Sequence, residues 1–184
     1  MIATLGRDAV IGDADRPDNH LVSAWIGLGG NHAESAALIR SALKFLAAHD
    51  SIRVLRTSRI YSSPPWGLPD QPDFFNGVAE LETSLPAIEL LSVLLEVEDI
   101  MGRVRSGPRW GPRSIDLDLL TYGDLTLNSD RLELPHPRMH LRAFVLVPIL
   151  ELERGFEIPG IGPALSALEQ LDRQEVNTVH PLAE

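Results

Sequence analysis

Hydrophobic period changes four times between residues 22 and 122, and this order constrains the fold more than any other feature of the chain. Val22, Ala24, Ile26 and Leu28 alternate as one face of a strand. Gly29-Gly30-Asn31 is read as breaking it. Leu38, Ile39, Ala42, Leu43 and Leu46 then form an apolar stripe on a helix over about 33–48. A strand over about 52–61 follows, then a loop with four prolines over 62–73 and a strand over about 74–83. Thr83 or Ser84 is expected to cap the next helix, with Pro86 in its first turn. That helix is expected to bury Ile88, Leu91, Leu94 and Leu95 and to end near Gly102. A strand over about 114–122 and a turn at Tyr122-Gly123-Asp124 complete the order βαββαβ. Its simplest packing is a sheet with both helices on one face, an α+β, ferredoxin-like sandwich. The remainder is a C-terminal extension, with plain core at Phe144 to Leu150 and short helical potential near 163–171.

Residues 1–20 are polar and are expected to be a mobile N-terminal extension, with 21–184 a single domain. No apolar run reaches the ~18 residues of a membrane span, and no signal-peptide pattern opens the chain. With no cysteine, disulfides, thiolate metal sites and a cysteine nucleophile are excluded, and a cytoplasmic setting is expected. The net charge of −10 repels polyanions, so long nucleic acid is not an expected partner.

Against that acidic background, Arg103, Arg105, Arg109 and Arg113 fall within 11 residues that contain no acid. A lone arginine is usually a solvated surface group. Four on one Gly/Pro-bent segment match phosphate oxygens, which guanidinium forks bind bidentately. Asp116 and Asp118 follow at once. In a strand they share a face, about 6.5–7 Å apart at Cα, with Leu117 and Leu119 toward the core. Two carboxylates that close repel unless a cation or arginine lies between them, and a hard cation such as Mg²⁺ suits them. The combination points to phosphoryl-type transfer. Trp110 either stacks on a base or anchors the loop.

Gly27-Leu28-Gly29-Gly30-Asn31 lacks the spacing of a P-loop or a Rossmann fingerprint. It reads as a tight turn able to line a site with backbone groups. Phe74, Phe75 and Asn76 offer a ring and an amide to a flat heterocycle. His136 stands between Pro135 and Pro137, close in sequence to Arg138 and Arg142, and a phosphate contact is expected of it. A metal-dependent phosphohydrolase and a nucleotide-binding regulatory module are rival readings. The aromatic–amide pair argues against both.

Read in order, these segments resemble the 6-hydroxymethyl-7,8-dihydropterin pyrophosphokinase family (HPPK) over about residues 21–155. The resemblance rests on Ile26 to Asn31, Tyr61 to Pro65, Asp70 to Asn76, Glu98 with Gly102 to Arg105, and Arg109 to Asp118. Pro135-His136-Pro137-Arg138 and Arg142-Ala143-Phe144 complete it. It implies transfer of pyrophosphate from ATP to the pterin hydroxymethyl group, with AMP released. It further implies two Mg²⁺ ions on Asp116 and Asp118, and phosphates gripped by Arg103, Arg113 and Arg142. Arg105 closes over ATP and Trp110 covers the site, while Leu119, Arg131 and His136 fall on the nucleotide side. Asn76 reads the pterin edge, Phe74 and Phe144 sandwich the ring, and Ser63, Pro64 and Trp66 line its pocket. A monomer acting on two small molecules is expected. Gly30 stands where the family commonly has Ser, a change expected only to tune the turn.

Overall fold

The computed structural model describes residues 20–65, 70–103 and 112–182. The N-terminal extension, Trp66, Arg105 and Trp110 therefore lie outside the described residues. Strand β1 (Val22–Gly30) is followed by α1 (Ser35–Ala47), β2 (Ile52–Thr57), β3 (Tyr61–Ser63), β4 (Phe74–Thr83), α2 (Ala87–Ile100) and β5 (Asp116–Tyr122). Then come a short hairpin, β6 (Leu127–Asn128) and β7 (Glu133–Leu134), a 3₁₀ turn at Met139–Leu141, and α3 (Ala143–Leu152). A second hairpin, β8 (Glu157–Ile158) and β9 (Gly162–Pro163), precedes α4 (Ala164–Gln170), α5 (Arg173–Asn177) and β10 (His180–Pro181). The fold is mixed α and β around one antiparallel sheet ordered β10-β3-β4-β1-β5, with β2 also paired to β4. No helix among the described residues is long and apolar enough to cross a membrane.

Three local expectations are corrected. First, β1 runs through Gly29 and Gly30, because both pair with β4 in register. Second, the strand expected over 52–61 is two strands. The chain leaves the ladder at Ser58, whose hydroxyl accepts from the Val78 N–H at 3.0 Å, and β3 then re-pairs with Phe74–Asn76. Third, neither Thr83 nor Ser84 caps α2. Pro86 holds the cap position, and the Thr83 hydroxyl donates to Ser51 O at 2.7 Å while accepting from the Leu85 N–H. Gly102, at φ +82°, supplies the expected helix end.

Ala24, Ile26 and Leu28 face α1 and α2, together with Leu81, Leu117 and Leu119. Within α2 the buried stripe is Ala87, Leu90, Leu94, Val97 and Glu98, with Ile88 and Leu91 partly buried at its margin, so the expected face is met at Leu94, shifted by about one residue, and fails at Leu95. Leu95 is exposed, and Leu91 only half-buried. The apolar count misled there because one face of α2 borders a cavity and its buried face carries an acid.

The opposite face of the sheet is not bare. Trp25, Val78 and Leu120 pack against α3 and α4 through Leu146, Ile149 and Ala164. Residues 143–171 thus supply a layer of the core, with Phe144 to Leu150 inside α3. Ion pairs pin the last turn of α3 to the β2–β3 edge. Arg56, held on Glu80 of β4 at 2.6 Å, donates from NH1 to Leu152 O at 2.8 Å and meets Glu153 at 3.3 Å. Arg59 Nε meets Glu151 at 2.9 Å, and the Tyr61 hydroxyl donates to the same carboxylate at 2.9 Å. Fixing that end presents the first turn of α3, with Arg142 and Phe144, to the far end of the same sheet face.

Candidate active site

Register builds the site. Gly29 lies opposite Asn76 on β4 and opposite Asp116 on β5. Gly27 lies opposite Val78 and Asp118. Directly opposed residues share a face, so Asn76, Asp116 and Asp118 rise from one side of the sheet with glycines between them. The glycines leave a floor without side chains, so the segment lines the site with backbone as its sequence allows, though as part of β1 and not as a turn. A cavity of about 210 Å³ stands on it. Ser63, Pro64, Phe74, Asn76, Arg113, Asp116, Asp118, His136, Arg142 and Phe144, all expected at the site, line this cavity. A second cavity of about 400 Å³ takes Arg103, Leu119 and Arg131 with Leu91, Leu95 and Glu98. Leu119 is at once core and wall. Asp116, Asp118 and His136 line both cavities, so the two join at the carboxylate pair.

In the first cavity the Asn76 amide donates to Ser63 Oγ at 2.8 Å, which sets the orientation of a buried polar group. Phe74 and Phe144 supply the apolar walls. The Arg142 guanidinium sits 5.5 Å from the Phe144 ring centroid, within cation–π range.

Electrostatics centre on Asp116. Arg103 NH1 reaches Oδ1 at 2.6 Å, and Arg113 NH1 reaches Oδ2 at 2.5 Å. Burial pulls Arg103 toward a lower pKa, but Asp116 and Glu98 outweigh it and hold the guanidinium charged. Arg142 approaches Asp118 only to 3.8 Å. Burial, and then the Asp116 charge, push Asp118 up to about 6. Its side chain is nonetheless 40% exposed, so solvent screens part of that repulsion. His136 is driven the other way, down to about 4, by burial and by the charges of Arg142 and Arg138. It is neutral at pH 7. Its Nδ1 accepts from the Arg138 N–H at 3.2 Å, which leaves the proton on Nε2.

Sequence reasoning assigned no role to two residues that organise this arrangement. Glu98 is fully buried, ion-pairs with Arg103, and accepts from the Leu117 N–H at 2.7 Å. The signal was present: the stripe Leu90, Leu94, Val97 continues by helical spacing onto an acid. Asn31, also buried, donates its N–H to Arg113 O at 3.0 Å, accepts from the Arg113 N–H at 2.9 Å, and donates its amide to Gln71 at 3.2 Å. One carboxamide thus ties the proline loop to the end of the arginine segment.

The donor set fits magnesium. Two carboxylates on one face offer hard oxygen ligands, their mutual repulsion favours a cation, and Mg²⁺ takes few protein ligands beside waters and phosphates. Among the described residues no third His, Asp or Glu joins them in a metal-holding group.

The chain is similar to known proteins in sequence and in fold. Residues 25–154 match the family model described as 7,8-dihydro-6-hydroxymethylpterin-pyrophosphokinase (HPPK). A 2-amino-4-hydroxy-6-hydroxymethyldihydropteridine pyrophosphokinase of Methylorubrum extorquens is 41% identical over 159 residues, 86% of this chain and 99% of that protein. One from Synechocystis is 43% identical, covering 86% of this chain and 80% of its own length. In structure, a Plasmodium falciparum HPPK-DHPS triple mutant superposes with a TM-score of 0.66 at 13% identity. It covers 84% of this chain, which spans less than half (44%) of that longer one.

Proposed function

The chain belongs to the 7,8-dihydro-6-hydroxymethylpterin-pyrophosphokinase family, and we propose that its two joined cavities hold acceptor and donor on either side of the Asp116–Asp118 pair. The reaction is transfer of pyrophosphate from ATP to the hydroxymethyl group of 6-hydroxymethyl-7,8-dihydropterin, a step of folate biosynthesis. One observation carries the placement: the aromatic–amide cavity and the arginine-lined cavity share the two carboxylates and His136.

In this reading the pterin lies on the glycine floor between Phe74 and Phe144. Asn76, held by Ser63, reads its edge, with Pro64 and Trp66 beside it. ATP takes the second cavity, along Leu119, Arg131 and the Nε2–H of His136, with Arg105 and Trp110 closing over it. The pterin hydroxyl attacks the β-phosphorus in line and AMP leaves. Arg103, Arg113 and Arg142 grip the phosphates, so positioning and charge neutralisation lower the barrier. Asp116 and Asp118 would hold magnesium, two ions in this proposal, and the metal would supply neutralisation of phosphate charge. The strand order β5-β1-β4-β2/β3, with α1 and α2 on one face, supports the ferredoxin-like reading of residues 21–122. The absence of cysteine supports a cytoplasmic setting. We read 21–184 as one domain, because both sheet faces are buried by its own helices, and the enzyme as a monomer.

Incubation with ATP, Mg²⁺ and the pterin, followed by phosphorus NMR of the products, tests the function. Pterin-dependent AMP with a diphosphorylated pterin is expected. ADP, or phosphate released without pterin, overturns it.

A further inference from the structure

Two walls of the first cavity come from elements far apart in the chain. Strand β3 carries Ser63 and leads into Pro64, and the first turn of α3 carries Phe144. A third segment ties them together. β3 is only three residues long. Its inner edge pairs with β4, where Tyr61 lies opposite Asn76 and Ser63 opposite Phe74. Its outer edge pairs with β10, His180 opposite Ser62 and Pro181 opposite Tyr61. The Leu182 N–H then donates to Ile60 O at 2.8 Å. Just before this ladder stands Val179, buried in one apolar cluster with Tyr61 of β3 and Ala143 of α3. Phe144 packs against the same cluster, as does Val176 of α5. The turn after α5 sets Val179 in place, its N–H donating to Val176 O at 3.2 Å. Tyr61, Ser63 and Asn76 share a sheet face by alternation and register. A shift of Tyr61 would therefore carry Ser63 with it, and with Ser63 the Asn76 amide that donates to its hydroxyl at 2.8 Å. So short a strand opens readily when its outer edge has no partner.

We propose that Val179 and β10 are the positioning element of the acceptor cavity: they hold β3 at a fixed distance from the first turn of α3 and so set pterin affinity without touching the pterin. This rests on the reading given above, which places the ring between Phe74 and Phe144. A gap fitted to a flat ring is lost when either wall moves, because stacking and edge hydrogen bonds both depend on close placement. The donor cavity is spared. Its described lining comes from α2 with Arg103, from β5 and from residues 129–137, and no residue of the Val179 cluster belongs to it.

Titration calorimetry on wild type, Val179→Ala, Val179→Ile and Leu182→Pro tests this, with the pterin alcohol and, separately, with ATP and Mg²⁺. Leu182→Pro removes the N–H that Ile60 O accepts and leaves Val179 in place. Urea unfolding of each variant is measured alongside. Val179→Ala and Leu182→Pro are expected to weaken the pterin by about fivefold or more, with ATP changed by less than about twofold. Val179→Ile, which keeps a branched apolar side chain, is expected to stay within about twofold of wild type for both ligands. A merely structural role predicts a lower urea midpoint with both affinities unchanged, or both reduced alike, and either result overturns the proposal. If Val179→Ala does not fold, Leu182→Pro decides, because a loss confined to the pterin supports the clamp and none refutes it. Wild-type protein that fails to bind the pterin overturns the pterin reading itself, and this proposal with it. Wild-type binding with variants that treat both ligands alike overturns the clamp alone.

Discussion

Gly29 faces Asp116 directly across the β1–β5 ladder, so a glycine of β1 stands beside the carboxylate on the edge strand. A Cβ on Gly29 would sit 3.3 Å from Asn76 Oδ1 and 4.0 Å from the Asp116 Cβ. It would intrude on the floor where the pterin is placed. Gly29→Ala is expected to weaken pterin binding by roughly tenfold, a cost of overpacking a fitted site, and to leave ATP affinity nearly unchanged. Fluorescence titration of each ligand reads this, and equal weakening would argue against the floor.

Gly30 allows a sharper test. The family resemblance makes it a position where Ser is expected, but here a Cβ would lie 2.5 Å from both Ser114 O and Ser35 Oγ. The Ser35 hydroxyl fills the space, donating to Ser114 O at 2.7 Å. Gly30→Ser should therefore cost about 1–3 kcal/mol, seen as a lower urea midpoint. A neutral outcome would show that the β1–β5 junction relaxes freely.

Glu98 separates charge from hydrogen bonding. Glu98→Gln keeps an acceptor for the Leu117 N–H but removes the charge opposite Arg103. We expect a folded protein with kcat reduced by about tenfold or more, since Arg103 is then misplaced. Glu98→Ala leaves the Leu117 N–H without its acceptor and Arg103 with Asp116 alone, and should cost about 1–3 kcal/mol in stability. Unchanged kcat in the glutamine variant would separate Glu98 from Arg103 positioning.

His136 and Asp118 give opposite pH dependences. Unfolded His136 takes a proton near pH 6.5, whereas the folded group resists to about 4. The stability it contributes is full above about pH 6.5 and is lost as pH falls toward 4, at most about 3 kcal/mol. Asp118, raised to about 6, protonates first in the folded state, so its contribution grows as pH falls from 6 toward the usual carboxylate range. Melting curves of His136→Gln should accordingly fall less than wild type between pH 6.5 and 4, and those of Asp118→Asn should fall more. Curves parallel to wild type would contradict both assignments.

Asp116→Ala should nearly abolish turnover and the magnesium dependence of nucleotide binding while the protein stays folded, because the lost carboxylate also relieves repulsion on Asp118. Calorimetry with ATP in the presence and absence of Mg²⁺ checks it, and substantial residual activity would remove Asp116 from the metal site.

Much of this was legible from local pattern. Period-two and period-3.6 runs placed β1, α1, β4, α2 and β5, and the arginine segment with its two aspartates located the phosphate chemistry. Errors arose where neighbours in space overrode local preference. Leu95 looks like core and instead borders a cavity, exposed, while Leu91 is part core and part cavity wall. Glu98 looks solvated and is buried. Residues past 150 read as a weakly patterned tail, yet α4 joins α3 over one face of the sheet, while the run read as plain core, Phe144 to Leu150, also brings Phe144 to the cavity.

The sequence by itself determined which segments become strands and helices and which residue types carry the chemistry, because these follow from side-chain period and functional groups a few residues apart. Only the tertiary structure decided that Gly27 and Gly29 form the floor between Asn76 and the aspartates, that Glu98 holds Arg103, and that Arg138 shares a cavity with Arg142. Those relations depend on strand register and on helices packing across the sheet, where the partners lie far apart in the chain and no local period records them.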